Sequence, residues 1–191
     1  MTEKSANIMD NENKEKTSRL STLNKKIATT AIFIAVGVVL SYLNPFAYFL
    51  LFGTKINPFV HFINSLTGVL IGLAFSCVAA LGIAALRFVF GIGTIHAFHG
   101  GISGAIVVGT VAGILRKKAP KHVEFAALSE PIGTVFIGGT IAQLIAPIGG
   151  IEGILTYWGL FAASSVPGCI VGFLILKVLK RAGISWQDYF Q

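Results

Sequence analysis

The stretch INPFVHFINSLTGVLIGLAFSCVAALGIAAL, residues 56–86, contains no Asp, Glu, Lys or Arg, yet it carries Asn57, His61 and Asn64 and ends at Arg87. Crossing a hydrocarbon core about 30 Å thick takes roughly 20 residues of helix, so an apolar run of this kind belongs in a bilayer. Ile71-Gly72-Leu73 punctuates it, and it reads as two helices joined by a very short turn. An ionisable or amide side chain in such a place costs a few kcal/mol at least, and its presence calls for a partner or a ligand. Asn57, His61 and Asn64 follow i, i+4, i+7 spacing and share one helix face.

Working outward, four more charge-free runs cover residues 27–54, 88–115, 131–151 and 153–176. Across the 191 residues, 54% are hydrophobic and 12% charged, and the mean hydropathy is +0.77. These values exclude an ordinary soluble domain and select a polytopic membrane protein. Apolar runs read against Gly, Pro and charge predict six transmembrane helices, near 27–43, 56–71, 74–90, 100–115, 125–146 and 154–179, in an all-α bundle. One domain then spans residues 27–181. Before it, residues 1–26 hold ten of the chain's 15 basic and 8 acidic side chains, mixed in sign, and are expected to form a disordered cytoplasmic tail. A short C-terminal tail covers 182–191.

A net charge of +7 would suit nucleic acid if it formed a patch, but the basic residues stand at the ends of apolar segments. Placing Lys25-Lys26, Arg116-Lys117-Lys118, Lys121, Lys177, Lys180 and Arg181 in the cytoplasm leaves only Lys55 in an outer loop. Both termini are then inside, in a multi-pass protein of a bacterial-type plasma membrane. Cys77 and Cys169 lie in apolar segments and read as buried small hydrophobes.

Depth follows from a rise of about 1.5 Å per residue. Asn57 and His61 fall in the outer third, and Asn64 near mid-membrane. Arg87 comes near the outer end of the third helix, beside a loop with Thr94, His96 and His99. Gln143 comes near the outer face, where the last helix begins with Tyr157 and Trp158. On the same reckoning Glu130 is an inner residue, apart from this group. Ala31 and Ala35 form an AxxxA face on the inner half of the first helix, and Gly68/Gly72 and Gly109/Gly113 repeat the small-xxx-small spacing.

Asn57-Pro-Phe-Val-His-Phe-Ile-Asn-Ser-Leu-Thr-Gly68, with Arg87 and Gly91-Ile-Gly-Thr-Ile-His-Ala-Phe-His-Gly-Gly101, resembles the ThiW family over about residues 25–181. These are substrate-binding (S) components of energy-coupling factor (ECF) transporters, associated with the thiazole precursor of thiamine. The resemblance implies an ECF S-component-like bundle that captures hydroxyethylthiazole from outside. It also implies a transmembrane coupling subunit, met through Ala31 and Ala35, and two ATPase subunits. This chain has no phosphate loop of its own. No catalytic residue, cofactor or resident metal is expected.

Depth and chemistry, rather than the resemblance, supply roles within the site. A small aromatic ligand suits an apolar pocket with a few placed polar groups. Asn57, His61 and Gln143 are assigned to the hydroxyl, Arg87 or a histidine to the ring nitrogen, and Tyr157 or Trp158 to stacking. Phe46, Tyr48, Phe49 and Phe52 are assigned to a lid. Each has a structural alternative: Asn57 before Pro58 caps a helix, Arg87 snorkels, Asn64 joins two helices, and Tyr157 and Trp158 form an interfacial belt. His96-x-x-His99 lacks an obvious third metal ligand, and Glu130 is read by default as structural support. Two rivals remain. Gly101-Ile-Ser-Gly104 matches an intramembrane serine protease pattern, but no histidine follows His122 to act as base. A stand-alone secondary transporter would use Glu130 to carry a proton.

Overall fold

The computed structural model describes residues 3–45, 50–51 and 54–190. The expected lid residues Phe46, Tyr48, Phe49 and Phe52 lie outside the described residues.

The described chain is helical apart from one small hairpin. Helix α1 is Glu3–Tyr42. Strands β1 (Leu50–Leu51) and β2 (Thr54–Lys55) pair antiparallel, Leu50 with Lys55 and Leu51 with Thr54. Then follow α2 (Pro58–Leu70), α3 (Leu73–Val89) and α4 (His96–Lys118). The fifth segment is composite: a 3-10 helix Pro120–Ser129, a π-helical stretch Ile132–Gly138, and α5, Gly139–Ile145. Helix α6 is Ile151–Arg181 and α7 is Trp186–Phe190. Among the described residues, four segments are long and apolar enough to cross a membrane: Asn11–Tyr42, His96–Lys118, Pro120–Ile145 and Ile151–Arg181. Helices α2 and α3 are apolar but shorter.

Helix α2 sits in the middle. Ten of its residues are buried, among them His61, Asn64, Ser65 and Thr67, and it packs on α1, α3, α4, α6 and the fifth segment. So central a position requires small residues on its neighbours. A Cβ on Gly168 of α6 would strike the Pro58 carbonyl, and one on Gly172 would lie 2.5 Å from Ser65 Cβ. The Gly68 repeat likewise lets α2 meet α4 closely, at Val108 and Gly109. Gly113, by contrast, has open space before it.

The turn from α2 to α3 needs Gly72, whose φ is +91°. Arg116 from the far end of α4 reaches over it and donates to the Val69 carbonyl at 2.8 Å, satisfying one of the free acceptors at the end of α2. Trp186 of α7 lies against the same guanidinium, 4.9 Å from ring centroid to Cζ, so the C-terminal tail folds back on the bundle. Residues 3–26 form the first part of α1, and from Asn11 to Glu15 every side chain is exposed.

Two boundaries differ from the sequence reading in ways that matter. Helix α4 begins at His96, so His96 and His99 occupy its first turn rather than a loop. The fifth segment begins at Pro120, five residues earlier than its expected start at 125, and its first ten residues are 3-10 turns broken by a kink at His122, where φ is −126° and ψ is 23°. Glu130 follows this stretch at the level of His61, near the start of α2.

Candidate substrate site

The site forms where the start of α2, the end of α3 and the start of α4 converge beside the middle of α6. Asn57 caps α2: its side-chain oxygen accepts from Phe59 N–H at 3.2 Å, and Pro58 fills the first helical position. Its own backbone N–H donates to Ser164 Oγ of α6 at 3.1 Å. Arg87 lies in the last turn of α3, and Thr94 in the connection to α4.

One cavity collects these groups, with about 420 Å³ of empty space including its mouth. Thr54 and Lys55 of the hairpin, Asn57, Val60 and His61 of α2, Arg87, Thr94, His96 and Ala97, Gly100 and Gly101 of α4, and Phe161 and Ser164 of α6 line it. Of the residues singled out in the sequence, Asn57, His61, Arg87, Thr94 and His96 meet here.

The other five candidates do not line the cavity. Asn64 sits beneath it and donates to the Gly101 carbonyl at 2.8 Å. His99 packs behind His96, whose Nδ1 is 3.0 Å from His99 Nε2, and stacks on Phe161 at 5.8 Å. Gln143 holds the turn before α6, accepting from Ile148 N–H at 3.0 Å and donating to the Gly150 carbonyl at 3.2 Å. Trp158 turns to the fifth segment, donating to Thr140 Oγ1 at 3.1 Å and packing edge-on against Phe136. Tyr157 is fully buried and donates its hydroxyl to the Ala146 carbonyl at 2.7 Å. Tyr157→Phe is accordingly expected to lower stability by about 1 kcal/mol, the net worth of one such bond. Thermal unfolding of the detergent-solubilised protein checks this, with ligand affinity expected to change less than twofold.

Sequence reasoning set Glu130 apart, and the structure corrects this. Glu130 Oε1 lies 2.7 Å from His61 Nδ1, 2.7 Å from Thr134 Oγ1 and 3.2 Å from Asn64 Nδ2. Glu130 is completely buried, so the carboxyl is the hub of a polar network directly under the cavity floor. It fits because of α4: a Cβ on Gly104 would collide with Glu130 Oε1 and Thr134 Oγ1. Pro131 supplies no N–H, and the chain beyond it widens into the π-helical stretch. Within that stretch, Gly133 lies against the Ser103 backbone and Gly138 against Gly100.

The Gly-x-Ser-Gly stretch therefore has a packing explanation. Ser103 donates to the His99 carbonyl of its own helix at 2.6 Å, and Gly104 admits Glu130. Ser164 and Phe161, half-way along α6, were missed in the sequence. The signal for them was the Ser164-Ser165 pair in an apolar helix, where hydroxyls satisfy polar neighbours.

The sequence matches the family described as Thiamine-precursor transporter protein (ThiW) over residues 27–182. No curated protein and no solved structure matches it. The matched residues take in every helix that shapes the cavity, from α1 to α6, and leave out most of the polar N-terminal segment. With its membrane-length helices and its match over most of its length, the chain belongs to the ThiW family of thiamine-precursor transporters.

Proposed function

We propose that this chain is the substrate-binding component of an ECF-type importer and captures hydroxyethylthiazole from outside the cell. The observation carrying the proposal is the single cavity that gathers Asn57, His61, Arg87, Thr94 and His96 at one end of the bundle. Arg116, Lys117, Lys118, Lys121, Lys180 and Arg181 gather at the opposite end, which suits a cytoplasmic side. In this arrangement six segments cross the bilayer, with α2 and α3 among them, and both termini are cytoplasmic. A thiazole ring would lie against Phe161 and Val60, with its hydroxyl directed to His61 and Asn57.

Ala31 and Ala35 are both exposed on α1, flanked by exposed Ile32, Val36 and Val39. Gly37 and Ser41 of the same helix are buried against the bundle. The outward alanine face is assigned to the coupling subunit, and ATP hydrolysis to two separate ATPase subunits.

Purified protein is expected to bind hydroxyethylthiazole in preference to thiamine and to a pyrimidine precursor, and His61→Ala to weaken it at least about tenfold, or 1.4 kcal/mol. Equal affinity for all three compounds would refute the substrate assignment, and unchanged affinity in His61→Ala would move the site elsewhere. Glu130 paired with His61 under the cavity also favours a second reading, a proton-coupled transporter acting alone. Uptake into vesicles containing only this chain, driven by a pH gradient without ATP, would establish that reading and displace the importer component.

A further inference from the structure

Among the described residues Arg87 has no counter-ion. Its side chain is 5% exposed, its Nε is buried with no hydrogen-bond partner, and among the described residues no acceptor meets the guanidinium. The sequence shows that the gap is general. Of the eight acidic residues, four lie in the first 26, Glu124 and Asp188 are at the basic end, and Glu152 is exposed in the first turn of α6. Glu130 is held by His61, Asn64 and Thr134. Residues 46–53 include no carboxylate.

An uncompensated buried guanidinium is strongly unfavourable, the more so within a membrane. Arg87 also lines the cavity, and it is not the only donor there. Lys55 lines the same space, its Nζ 3.4 Å from the Gly91 carbonyl and without a carboxylate partner among the described residues. Thr54 Oγ1 is buried without a partner and lines it too, as does Thr94. Two cations and two hydroxyls lining one cavity are an oxyanion's donor set, and the planar guanidinium matches a carboxylate or phosphate with two parallel bonds.

We propose that Arg87 and Lys55 hold an oxyanion on the ligand, so that the thiazole is taken with a phosphate monoester or carboxylate group in preference to the neutral alcohol. This rests on the thiazole reading above. It adds a demand that hydroxyethylthiazole alone leaves unmet, because a neutral hydroxyl does not balance a buried positive charge.

The test is calorimetric titration of the full-length protein with hydroxyethylthiazole, its phosphate monoester and a thiazole carboxylate, for wild type, Arg87→Gln and Arg87→Met. Melting is recorded with and without inorganic phosphate and acetate. Wild type is expected to bind at least one anionic compound about tenfold more tightly than the alcohol, and Arg87→Gln to bring that ratio to about one; tenfold corresponds to 1.4 kcal/mol. Phosphate-selective and carboxylate-selective preference distinguish the two sources of the oxyanion. Without ligand, Arg87→Met is expected to melt at or above the wild-type temperature, since it removes an unbalanced charge. Equal binding of alcohol and both anions by wild type overturns the proposal, as does a lower melting temperature for Arg87→Met, which would reveal a protein partner for the arginine. If no thiazole binds but phosphate or acetate stabilises wild type and not Arg87→Gln, the oxyanion site stands and the thiazole reading falls. If no thiazole binds and neither anion stabilises, both fall.

Discussion

Gly104→Ala is expected to lower the stability of this protein by about 2–3 kcal/mol, at the upper end of the range for overpacking a tight core. A single methyl group is sufficient because of where it falls. A Cβ at position 104 meets Glu130 Oε1 and Thr134 Oγ1 at once and lies 2.8 Å from Glu130 Cδ, so the carboxyl cannot stay in place. Moving it strips His61, Asn64 and Thr134 of their common acceptor. The control is Gly113→Ala on the same helix, where a Cβ meets nothing within 4 Å. That change is expected to be neutral or to stabilise by about 0.5–1 kcal/mol, the usual gain from alanine over glycine inside a helix. Melting curves in one detergent compare the two directly. Equal behaviour of the two alanines would mean that the carboxyl does not sit in the Gly104 notch.

Removing the hub itself should have the larger effect. Glu130→Ala removes the 2.7 Å partner of His61 Nδ1 and leaves Asn64 Nδ2 with the Gly101 carbonyl alone; a buried polar group left unpaired costs about 1–3 kcal/mol, and the cavity left by the side chain adds to it. Ligand affinity is expected to fall at least tenfold as well, or about 1.4 kcal/mol, because His61 lines the cavity and takes its ring orientation from this carboxyl. Glu130→Gln preserves the shape and one acceptor oxygen and should recover more than half of the lost stability. Unfolding and binding measured on both variants separate the two effects. A Glu130→Ala protein that melted with wild type would show that the network carries no stability.

The apolar runs of this chain locate its helices closely, because a membrane admits few alternatives to a long apolar helix. The six expected segments correspond to α1 through α6, although four rather than six are individually long enough to span. Residues that line the cavity were legible where a polar side chain interrupted an apolar run, as with Asn57, His61 and Arg87. Depth was less legible, since it was reckoned with a single helical rise. The fifth segment combines 3-10, π and α turns with a kink at His122, so counting residues from its start does not give the depth of Glu130. Nothing in its composition marks the long 3-10 stretch. Pro131 and the following glycines signal only that something irregular occurs. Rotation around a helix was equally hidden for Tyr157 and Trp158, which are adjacent in sequence. Tyr157 faces His96 and Phe161, and Trp158 faces Phe136.

Helices α2 and α3 have 13 and 17 residues, or about 20 and 25 Å at 1.5 Å per residue. A fluid hydrocarbon core is about 30 Å thick. Helix α2 is enclosed by its neighbours, so in the six-span arrangement proposed above the mismatch falls on α3, and the bilayer beside it is pinched at a fraction of a kcal/mol for each ångström. The polar ends that bear Asn57, His61 and Arg87 are the ones that such a bilayer would draw below its surface. Acyl-chain length thus becomes a control on the cavity: short-chain lipids relieve the pinch and leave its mouth at the water boundary, whereas thick, ordered membranes bury it.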